Sequence, residues 1–274
     1  MRVVVSLSRR TEPYFHAEKL AELLLRRYPP ERVHTVVVWT KFPATVLSKL
    51  HRVLSQYDQV YLHLTVTGFG GTVVEPGVPP AEKVLGSIPE LISFLGDPRR
   101  LRLRPDPLAT FRRGREVYSN LHLVPEIIRK AASLGVKSFS SSFMTLYPKV
   151  EERLKREGFS FIALGEEEKQ YIWRHLEKVA QESGAKLFAC CVPGLPKSRC
   201  IDGYLLTLLH PRKEPCRTNE AVGQRELCGC THSVDLGWYT MKCPAGCLYC
   251  YGSPLRPRRN LTNIGDERLN YFEN

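Results

Sequence analysis

No cysteine precedes Cys190, and all nine cysteines of this 274-residue chain lie between Cys190 and Cys250. The chain also lacks any run approaching the roughly 18–20 apolar residues that a membrane-spanning helix needs. Its N-terminal segment, MRVVVSLSRRTEP, has neither the apolar core nor the cleavage site of a signal peptide. We therefore expect a cytoplasmic protein without a membrane partner. In that reducing compartment, an odd number of clustered thiols favours metal or redox chemistry over a disulfide framework.

Acidic residues are few in comparison with basic ones: 28 Asp and Glu stand against 40 Lys and Arg, giving a formal net charge of +12. This excess favours anionic partners, with nucleic acid first among them. The basic residues are concentrated in a stretch with seven arginines between Arg99 and Arg115 and in the segment RPRR at 256–259. Two interpretations stay open, a solvated arginine-rich surface and a patch that contacts phosphates.

Strand-like and helix-like segments alternate along the first two thirds of the chain. β-branched and apolar runs predict six strands, and amphipathic segments predict five helices between them. Short connections between such units favour an α/β fold, a partial (βα)6 TIM-like barrel, with a flat doubly wound sheet as the main alternative. The predicted strands are 2–8, 33–40, 59–68, 100–107, 136–143 and 185–191, and the predicted helices are 15–28, 43–54, 80–95, 122–134 and 166–182.

The regular alternation ends where the cysteines begin. We therefore divide the chain into a partial (βα) barrel, residues 1–190, and a cysteine-rich cluster-binding extension, residues 191–274. The extension contains one apolar stretch, GYLLTLLH at 203–210. It is predicted to fold back over the barrel mouth as an iron–sulfur cap.

The sharpest motif of the sequence is CPAGCLYCY at 243–251, in which Cys243, Cys247 and Cys250 have the spacing C-x3-C-x2-C. Three thiolates on a short loop can each bind one iron of a [4Fe–4S] cluster and leave the fourth iron without a protein ligand. S-adenosylmethionine can chelate that open iron, and its reductive cleavage gives a carbon radical. Tyr249, directly before the third cysteine, is typical of such a loop and is expected near the adenine. The alternative is a zinc knuckle that combines Cys247 and Cys250 with the Cys-Gly-Cys pair at 228–230.

The remaining cysteines allow a second centre. Cys228 and Cys230 form a tight pair, and Cys190 ends a predicted strand. We predict a second, fully ligated [4Fe–4S] cluster held by Cys190, Cys200, Cys228 and Cys230, with Cys191 or Cys216 as substitutes. The alternative is that some of these cysteines are small buried apolar residues, Cys191 first.

Several motifs resemble, in this order, those of a prokaryotic family, the domain of unknown function 1848: SLSRRTEP, VWTK, LTVTGFG, VEPGVPP, RPDP, CIDG, CGC and CPAGCLYCY. The resemblance runs from Ser6 to Tyr251. The family is similar to radical S-adenosylmethionine proteins with a C-terminal cluster motif, and distantly to DNA repair proteins of the spore photoproduct lyase type. The chain departs from the family at Pro105, where a tyrosine is usual, and at 252–253, where Ala-Asn is more frequent. Both departures bear on the substrate more than on the cluster.

If the cysteine loop folds over the barrel, the polar residues at the carboxyl ends of the strands should surround it. Arginine matches a carboxylate bidentately, and a carboxylate suits ribose hydroxyls or an amino group. Thr40, Lys41, Ser141 and Ser142 also stand at strand ends. The residues predicted to bind the cosubstrate are Arg9, Arg10, Glu12, Thr67, Glu75, Arg104, Asp106 and Tyr249, with the pair Arg104–Asp106 foremost.

These features predict a radical S-adenosylmethionine enzyme that forms a substrate radical on nucleic acid or another anionic substrate. Such an enzyme needs an electron donor of the ferredoxin or flavodoxin type. The alternative is a nucleic-acid-binding or electron-transfer protein that contains zinc or an iron–sulfur cluster and has no catalytic activity.

Overall fold

The structure, a computed structural model, describes residues 1–256. The rest of the basic segment 256–259 and of the predicted extension 191–274 lies outside the described residues. Seven of ten strands form a central parallel sheet in the order β10-β1-β2-β3-β4-β7-β9, and the other three form a small antiparallel sheet in the order β6-β5-β8. In chain order the strands are β1 (Val3–Leu7), β2 (Val33–Thr40), β3 (Val60–Thr65), β4 (Leu101–Arg104), β5 (Thr110–Arg113), β6 (Glu116–Ser119), β7 (Ser138–Ser141), β8 (Ser160–Phe161), β9 (Lys186–Ala189) and β10 (Val234–Leu236).

The central sheet confirms the α/β class. All six predicted strands are present and lie side by side in sequence order, each parallel to the next. A doubly wound sheet reverses its strand order part-way, and no reversal occurs between β1 and β9. The seventh strand, β10, comes from the cysteine-rich extension and pairs with β1. Within the described residues no ladder joins β9 to β10, so these two strands are the edges of the sheet.

Eight α-helices accompany the strands in residues 1–256, and they differ from the prediction in four places. The predicted helix 80–95 is divided: a new helix begins at Ile88, and Pro89 in its first turn lacks the amide hydrogen that would continue the preceding helix. The predicted helix 43–54 is a π-helical turn, Thr45–Lys49, followed by a short α-helix. The helices at 148–156 and 203–209 were not predicted. The helices are α1 (Ala17–Arg27), α2 (His51–Leu54), α3 (Ala81–Gly86), α4 (Ile88–Leu95), α5 (Val124–Ser133), α6 (Pro148–Arg156), α7 (Glu166–Glu182) and α8 (Gly203–Leu209). None of them is long and apolar enough to cross a membrane.

The main apolar core lies between the central sheet and the helices. Side chains alternate between the two faces of a strand, so Val5 and Leu7 of β1 face this core together with Val38 of β2. Helices α1, α4, α5 and α7 contribute their apolar stripes to the same core. This is the arrangement that the helical periodicity of the sequence predicts.

The opposite face of the sheet is covered by the first part of the extension. Val4, Val37 and Tyr61 pack there against Ile201 and Leu206. Two hydrogen bonds fix α8 across this face: Gln59 Nε2 donates to the Leu206 carbonyl at 2.9 Å, and Arg100 Nη2 donates to the Leu209 carbonyl at 2.6 Å. The extension therefore lies along a face of the sheet as well as at its end, an arrangement that the predicted cap did not include.

A polar cluster joins the extension to the amino ends of the strands. Arg2 Nη1 contacts Asp58 Oδ2 at 2.5 Å, and the Arg2 guanidinium also donates to the Glu214 carboxylate, with Nε 2.8 Å from Oε1. Arg2 Nη2 lies 3.1 Å from Nε2 of His210, whose ring stands 4.4 Å from that of His34. We call these residues the Arg2 cluster.

Candidate functional site

The C-terminal cysteine loop, residues 243–253, lies at the carboxyl ends of β1, β2 and β3. Cys247 is buried in an apolar cluster with Phe42 and Val78, and the other two cysteines of the motif pack against that cluster. Phe42 follows β2, and Val78 lies in the loop after β3. The structure thus brings the three thiols predicted for the first cluster together beside the strand ends. We call them the first thiol group.

Backbone hydrogen bonds hold the cysteine loop against the glycine-rich loop after β3. The Gly77 N–H donates to the Ala245 carbonyl at 3.1 Å, and the Leu248 N–H donates to the Val74 carbonyl at 2.8 Å. A Cβ atom at Gly77 would lie 3.0 Å from both Cα of Ala245 and the carbonyl oxygen of Pro244. Only glycine permits this approach without a shift of one loop.

Arg153 of α6 supports the cysteine loop from a second side. Its Nη1 donates to the Leu248 carbonyl at 3.0 Å and to the Cys250 carbonyl at 2.6 Å. Sequence reasoning missed Arg153 because it missed α6. The signal that could have found this short helix is the spacing of its two buried residues, Val150 and Leu154, which are four apart.

Burial raises the pKa of all three thiols of this loop. The pKa of Cys243 is raised to about 11, and the pKa values of Cys247 and Cys250 are raised as well. A metal centre supplies the positive charge that turns such thiols into thiolate ligands. Three soft sulfur donors on one short loop in an apolar enclosure fit an iron–sulfur cluster with one iron left without a protein ligand.

A buried polar network connects Tyr249 of the cysteine loop to two strand ends. Lys41 Nζ contacts Glu75 Oε1 at 2.8 Å and Tyr249 Oη at 3.0 Å, and the Tyr249 hydroxyl also donates to Glu75. Thr67 Oγ1 donates to Glu75 Oε2 at 2.8 Å. The ring of Tyr249 stacks on that of Phe111, with 6.3 Å between the centroids. The structure therefore joins three predicted site residues, and it adds Lys41 to them.

Glu12 is also beside the loop, but its carboxylate is occupied by the protein. It accepts hydrogen bonds from the Thr40 hydroxyl, from the Lys41 N–H at 2.9 Å and from the Tyr14 N–H at 3.3 Å. Burial raises the pKa of Glu12 to about 7. These contacts fix the turn after β1, and Glu12 lies close enough to Cys243 to raise the pKa of that thiol.

Arg9 and Arg10 both pair with Asp235 of β10. Arg9 Nε lies 3.3 Å from Oδ1, and Arg10 Nε lies 3.4 Å from Oδ2. The guanidinium of Arg9 also stands over the Trp39 ring at 5.9 Å. The two arginines thus hold the extension strand next to β1.

The foremost predicted pair, Arg104 and Asp106, forms as expected, with 2.7 Å between Nη2 and Oδ2. Its other hydrogen bonds join it to residues outside the cysteine loop. Arg104 Nη1 donates to Ser140 Oγ and to Cys200 Sγ, each at 3.0 Å, and Ser142 Oγ donates to Asp106 Oδ1 at 2.5 Å. The pair faces a second group of thiols because Arg104 points to the sheet face that the extension covers.

This second thiol group gathers cysteines from three separate segments. Cys190 follows β9, Cys200 precedes α8, and the Cys-Gly-Cys pair precedes β10. The sulfur atoms of Cys190 and Cys200 are 3.7 Å apart, and the Cys200 N–H donates to Cys230 Sγ at 3.3 Å. Cys216 belongs to the same apolar cluster, but its sulfur is engaged with α8, 3.2 Å from the Gly203 carbonyl oxygen. The structure thus groups the four cysteines predicted for a second cluster, with Cys191 adjoining Cys190.

The thiols needed for the alternative zinc knuckle lie in two places. Cys228 and Cys230 pack in one apolar cluster, and Cys247 and Cys250 pack in another. Among residues 1–256, no group of three or more His, Cys, Asp or Glu side chains is arranged to hold a metal ion as these side chains stand.

A family model described as domain of unknown function (DUF1848) matches residues 5–252. The chain belongs to the DUF1848 family. The match begins in β1 and includes both thiol groups, so both are parts of the DUF1848 domain. A comparison with curated proteins gave no match. The distant similarity to the spore photoproduct lyase type stays an expectation.

Of the seven arginines in the arginine stretch of this DUF1848 chain, two are buried and five are half-buried or exposed. Arg102 and Arg104 of β4 are buried, and Arg102 Nη1 donates to the Arg199 carbonyl at 2.6 Å. Arg99 pairs with Asp97 at 2.7 Å. For the buried arginines neither sequence interpretation is right, because strand alternation aims them at the segment that covers the sheet.

Aromatic and cationic side chains meet at the surface next to the cysteine loop. The ring of Tyr239 lies 6.3 Å from that of Tyr251, which lies 6.3 Å from that of Tyr147. The cations of Arg10 and Lys149 stand over Tyr239 at 5.2 and 5.6 Å. The three tyrosines are 37–49% exposed. We call these five residues the tyrosine patch, which sequence reasoning missed because its members are far apart in the chain.

Proposed function

We propose that this DUF1848 protein is a radical S-adenosylmethionine enzyme whose [4Fe–4S] cluster is held by Cys243, Cys247 and Cys250. The observation that carries the proposal is the first thiol group: three sulfur donors, one buried and two half-buried, on one loop at the carboxyl ends of three parallel strands. Three thiolates leave one iron of the cube for a cosubstrate, whereas a fully ligated cluster leaves none. Cys243, Cys247 and Cys250 would hold the cluster, which would supply the electron for reductive cleavage of S-adenosylmethionine and so for radical chemistry on the substrate.

The strand order supports the finer architecture, a partial (βα) barrel. Six parallel strands in sequence order with helices on one face are the arrangement of a barrel wall, and barrel enzymes bind ligands at the carboxyl ends of their strands. In this proposal the cysteine loop closes that end, and the segment with α8 fills the inner face. The iron–sulfur cap of the sequence prediction is then the loop 243–253 alone.

The network around Tyr249 supports a cosubstrate site beside the first thiol group. Lys41 and Glu75 form a buried ion pair, with Glu75 1% exposed. Burying two charges has a desolvation penalty that often exceeds their attraction, so such a pair is weak evidence for stability. We propose that Lys41 binds the methionyl carboxylate and Glu75 the methionyl amino group. Thr67 and Tyr249 hold the Glu75 carboxylate in place through their hydroxyl groups.

We further propose that the substrate is anionic and enters over the tyrosine patch. Tyrosine rings stack with nucleobases, and Arg10 and Lys149 supply positive charge for phosphates. The patch includes Tyr251, which directly follows the last cysteine of the loop. This position favours a nucleic acid whose base is unstacked next to the cluster.

The deciding experiment is S-adenosylmethionine cleavage by anaerobically reconstituted protein. With dithionite as electron donor, we expect 5′-deoxyadenosine or another cleavage product, measured by chromatography. The Cys247→Ala variant should lose this activity. The matched control is Cys216→Ala, which removes a buried thiol outside both groups and should keep it. Iron-loaded protein that cleaves nothing would overturn the proposal in favour of an electron-transfer protein, and bound zinc without iron would favour the non-catalytic alternative.

A further inference from the structure

We infer that the second thiol group binds an iron–sulfur cluster of its own, with Cys190, Cys200, Cys228 and Cys230 as ligands. The inference is independent of the radical chemistry proposed above. Four thiolates leave no iron for a cosubstrate, so the predicted centre serves electron transfer rather than substrate binding.

The sulfur atoms of the group form a continuous series. Cys190 Sγ is 3.7 Å from Cys200 Sγ, and Cys230 Sγ accepts hydrogen bonds from the amides of Cys200 at 3.3 Å and Ile201 at 3.5 Å. Cys228 and Cys230 also contact each other through their side chains. Cys200 and Cys230 are 30 residues apart in the chain, and three loops converge here on the same face of the sheet.

The fold places each segment by specific backbone contacts. The Cys190 N–H donates to the Ser141 carbonyl at 2.8 Å, which continues the pairing of β9 with β7. The Gly229 N–H donates to the Ser198 carbonyl at 3.1 Å. A Cβ atom at Gly229 would lie 2.9 Å from that carbonyl oxygen. The glycine between Cys228 and Cys230 therefore lets the pair press against the segment that leads to Cys200.

Arginine side chains face the group from separate elements. Arg104 of β4 is buried and donates to Cys200 Sγ at 3.0 Å, and Arg225 Nη2 lies 3.9 Å from Cys190 Sγ. A cluster with four thiolates is anionic, and buried cations next to its sulfur atoms stabilise that charge. Asp106 pairs with Nη2 of Arg104, while Nη1 faces the thiols.

Four cysteine thiols are the donor set of a [4Fe–4S] cube, which takes one thiolate at each of its four irons. Among the described residues no group of side chains stands ready to hold a metal ion. The sulfur atoms of Cys190 and Cys200, 3.7 Å apart, must therefore turn away from each other to reach separate irons. A zinc ion would instead need all four sulfur atoms to converge on one point, so the metal content of the protein decides between the two centres.

The test removes the first thiol group and asks whether iron remains. A triple variant, Cys243→Ala, Cys247→Ala and Cys250→Ala, is reconstituted anaerobically, and its iron and acid-labile sulfide are counted. We expect about four of each per chain in this variant and about eight in the unchanged protein, with a cubane signal in electron paramagnetic resonance after reduction. Adding Cys228→Ser, at a half-buried position, should remove the remaining iron. Adding Cys216→Ala instead should leave it in place.

Three results would overturn the inference: a triple variant without iron although circular dichroism shows it folded, about one zinc per chain in place of iron, or a Cys190–Cys200 disulfide detected by peptide mapping. The outcome is separable from the proposed enzymatic function. If the unchanged protein cleaves S-adenosylmethionine but the triple variant holds no iron, the second cluster alone is rejected. Iron in the triple variant without cleavage by the unchanged protein would reject the enzymatic function alone.

Discussion

Lys41 and Glu75 form a buried ion pair beside the cysteine loop, with side chains 16% and 1% exposed. Lys41 is the cationic partner of Glu75, whose other hydrogen bonds come from neutral hydroxyl groups. Removing one partner of a buried pair leaves an uncompensated charge, which is costlier than removing both partners.

We therefore expect Lys41→Met to lower the free energy of unfolding by about 3–5 kcal/mol. The double variant Lys41→Met, Glu75→Gln should recover part of this loss. Urea denaturation of the metal-free protein measures both effects. The control is Lys155→Met, which removes the exposed pair with Glu151 and should change stability by less than about 0.5 kcal/mol. Equal losses in Lys41→Met and the control would contradict this account of the network.

Gly77 gives a second prediction at the scale of one residue, because the glycine-rich loop after β3 touches the cysteine loop at its Cα. The Gly77→Ala variant must displace backbone of the cysteine loop, since the new Cβ would lie 3.0 Å from Ala245 Cα. We expect a loss of stability of about 1–3 kcal/mol, the usual effect of overpacking. We also expect the first thiol group to bind less iron on reconstitution. Gly86→Ala, with no atom within 4 Å of its new Cβ, is the control and should keep both properties.

Among the elements, α6 has the most direct effect on the cysteine loop, because it carries Arg153. The Arg153→Met variant removes two hydrogen bonds to loop carbonyls and keeps the apolar stem of the side chain. A lost hydrogen bond to a buried group costs about 1–3 kcal/mol. We expect amide hydrogen exchange in the loop to rise about 5- to 150-fold, the equivalent of that free energy, while the exchange of β1 and β2 stays unchanged.

Arg156→Met is the matched control for α6. Arg156 lies on the same helix but is exposed, so its replacement should leave exchange in the cysteine loop unchanged. A loop that exchanges equally fast in both variants would show that α6 does not hold it.

The strands of the central sheet could be predicted because β-branched runs such as VHTVVVWT are buried on both faces. The strands β5, β6 and β8 could not be predicted. The segment TFRRGREVYS at 110–119, which forms β5 and β6, is rich in charged residues, and its pairing depends on contact with the distant strand β8. The contacts of the candidate site likewise include some that the sequence predicts and some that it does not. Parallel strands bring their carboxyl ends to one edge, which predicted that Glu75 and Thr67 lie near the loop. The contact of Arg104 with Cys200 depends on the segment that covers the inner face, and no local pattern contains that information.

At the scale of the whole molecule, the tyrosine patch is the surface where we expect the predicted anionic partner to bind. We expect a labelled single-stranded oligonucleotide to bind, with fluorescence anisotropy as the measurement and an affinity that falls steeply as salt rises. Tyr239→Ala should weaken binding about 5- to 150-fold, the effect of one lost base stack. Tyr171→Ala, 72% exposed on α7, is the control. No binding at low salt, or equal losses in both variants, would remove nucleic acid as the partner.

The Arg2 cluster lies at the amino ends of the strands of the central sheet. We expect it to make the stability of the whole fold depend on pH. Burial lowers the pKa of His210 to about 4, and it lowers the pKa of His34 too. Hydrogen bonding from Arg2 lowers the pKa of Glu214. In the unfolded chain a histidine titrates near pH 6.5. As the pH falls below that value, the unfolded chain takes up protons that the folded protein does not, so stability falls with pH.

We expect the urea midpoint of the metal-free protein to decrease between pH 7 and pH 5, by up to about 2 kcal/mol in unfolding free energy from His210. Glu214 adds a loss in the same direction at lower pH, as it titrates in the unfolded chain. His210→Gln cannot take up the proton but can still accept a hydrogen bond from Arg2, so it should flatten this dependence. His122→Gln, at an exposed position, should not. Because Arg2 joins the first strand to Glu214 of the extension, an unchanged slope in His210→Gln would mean that this junction does not set the acid stability of the fold.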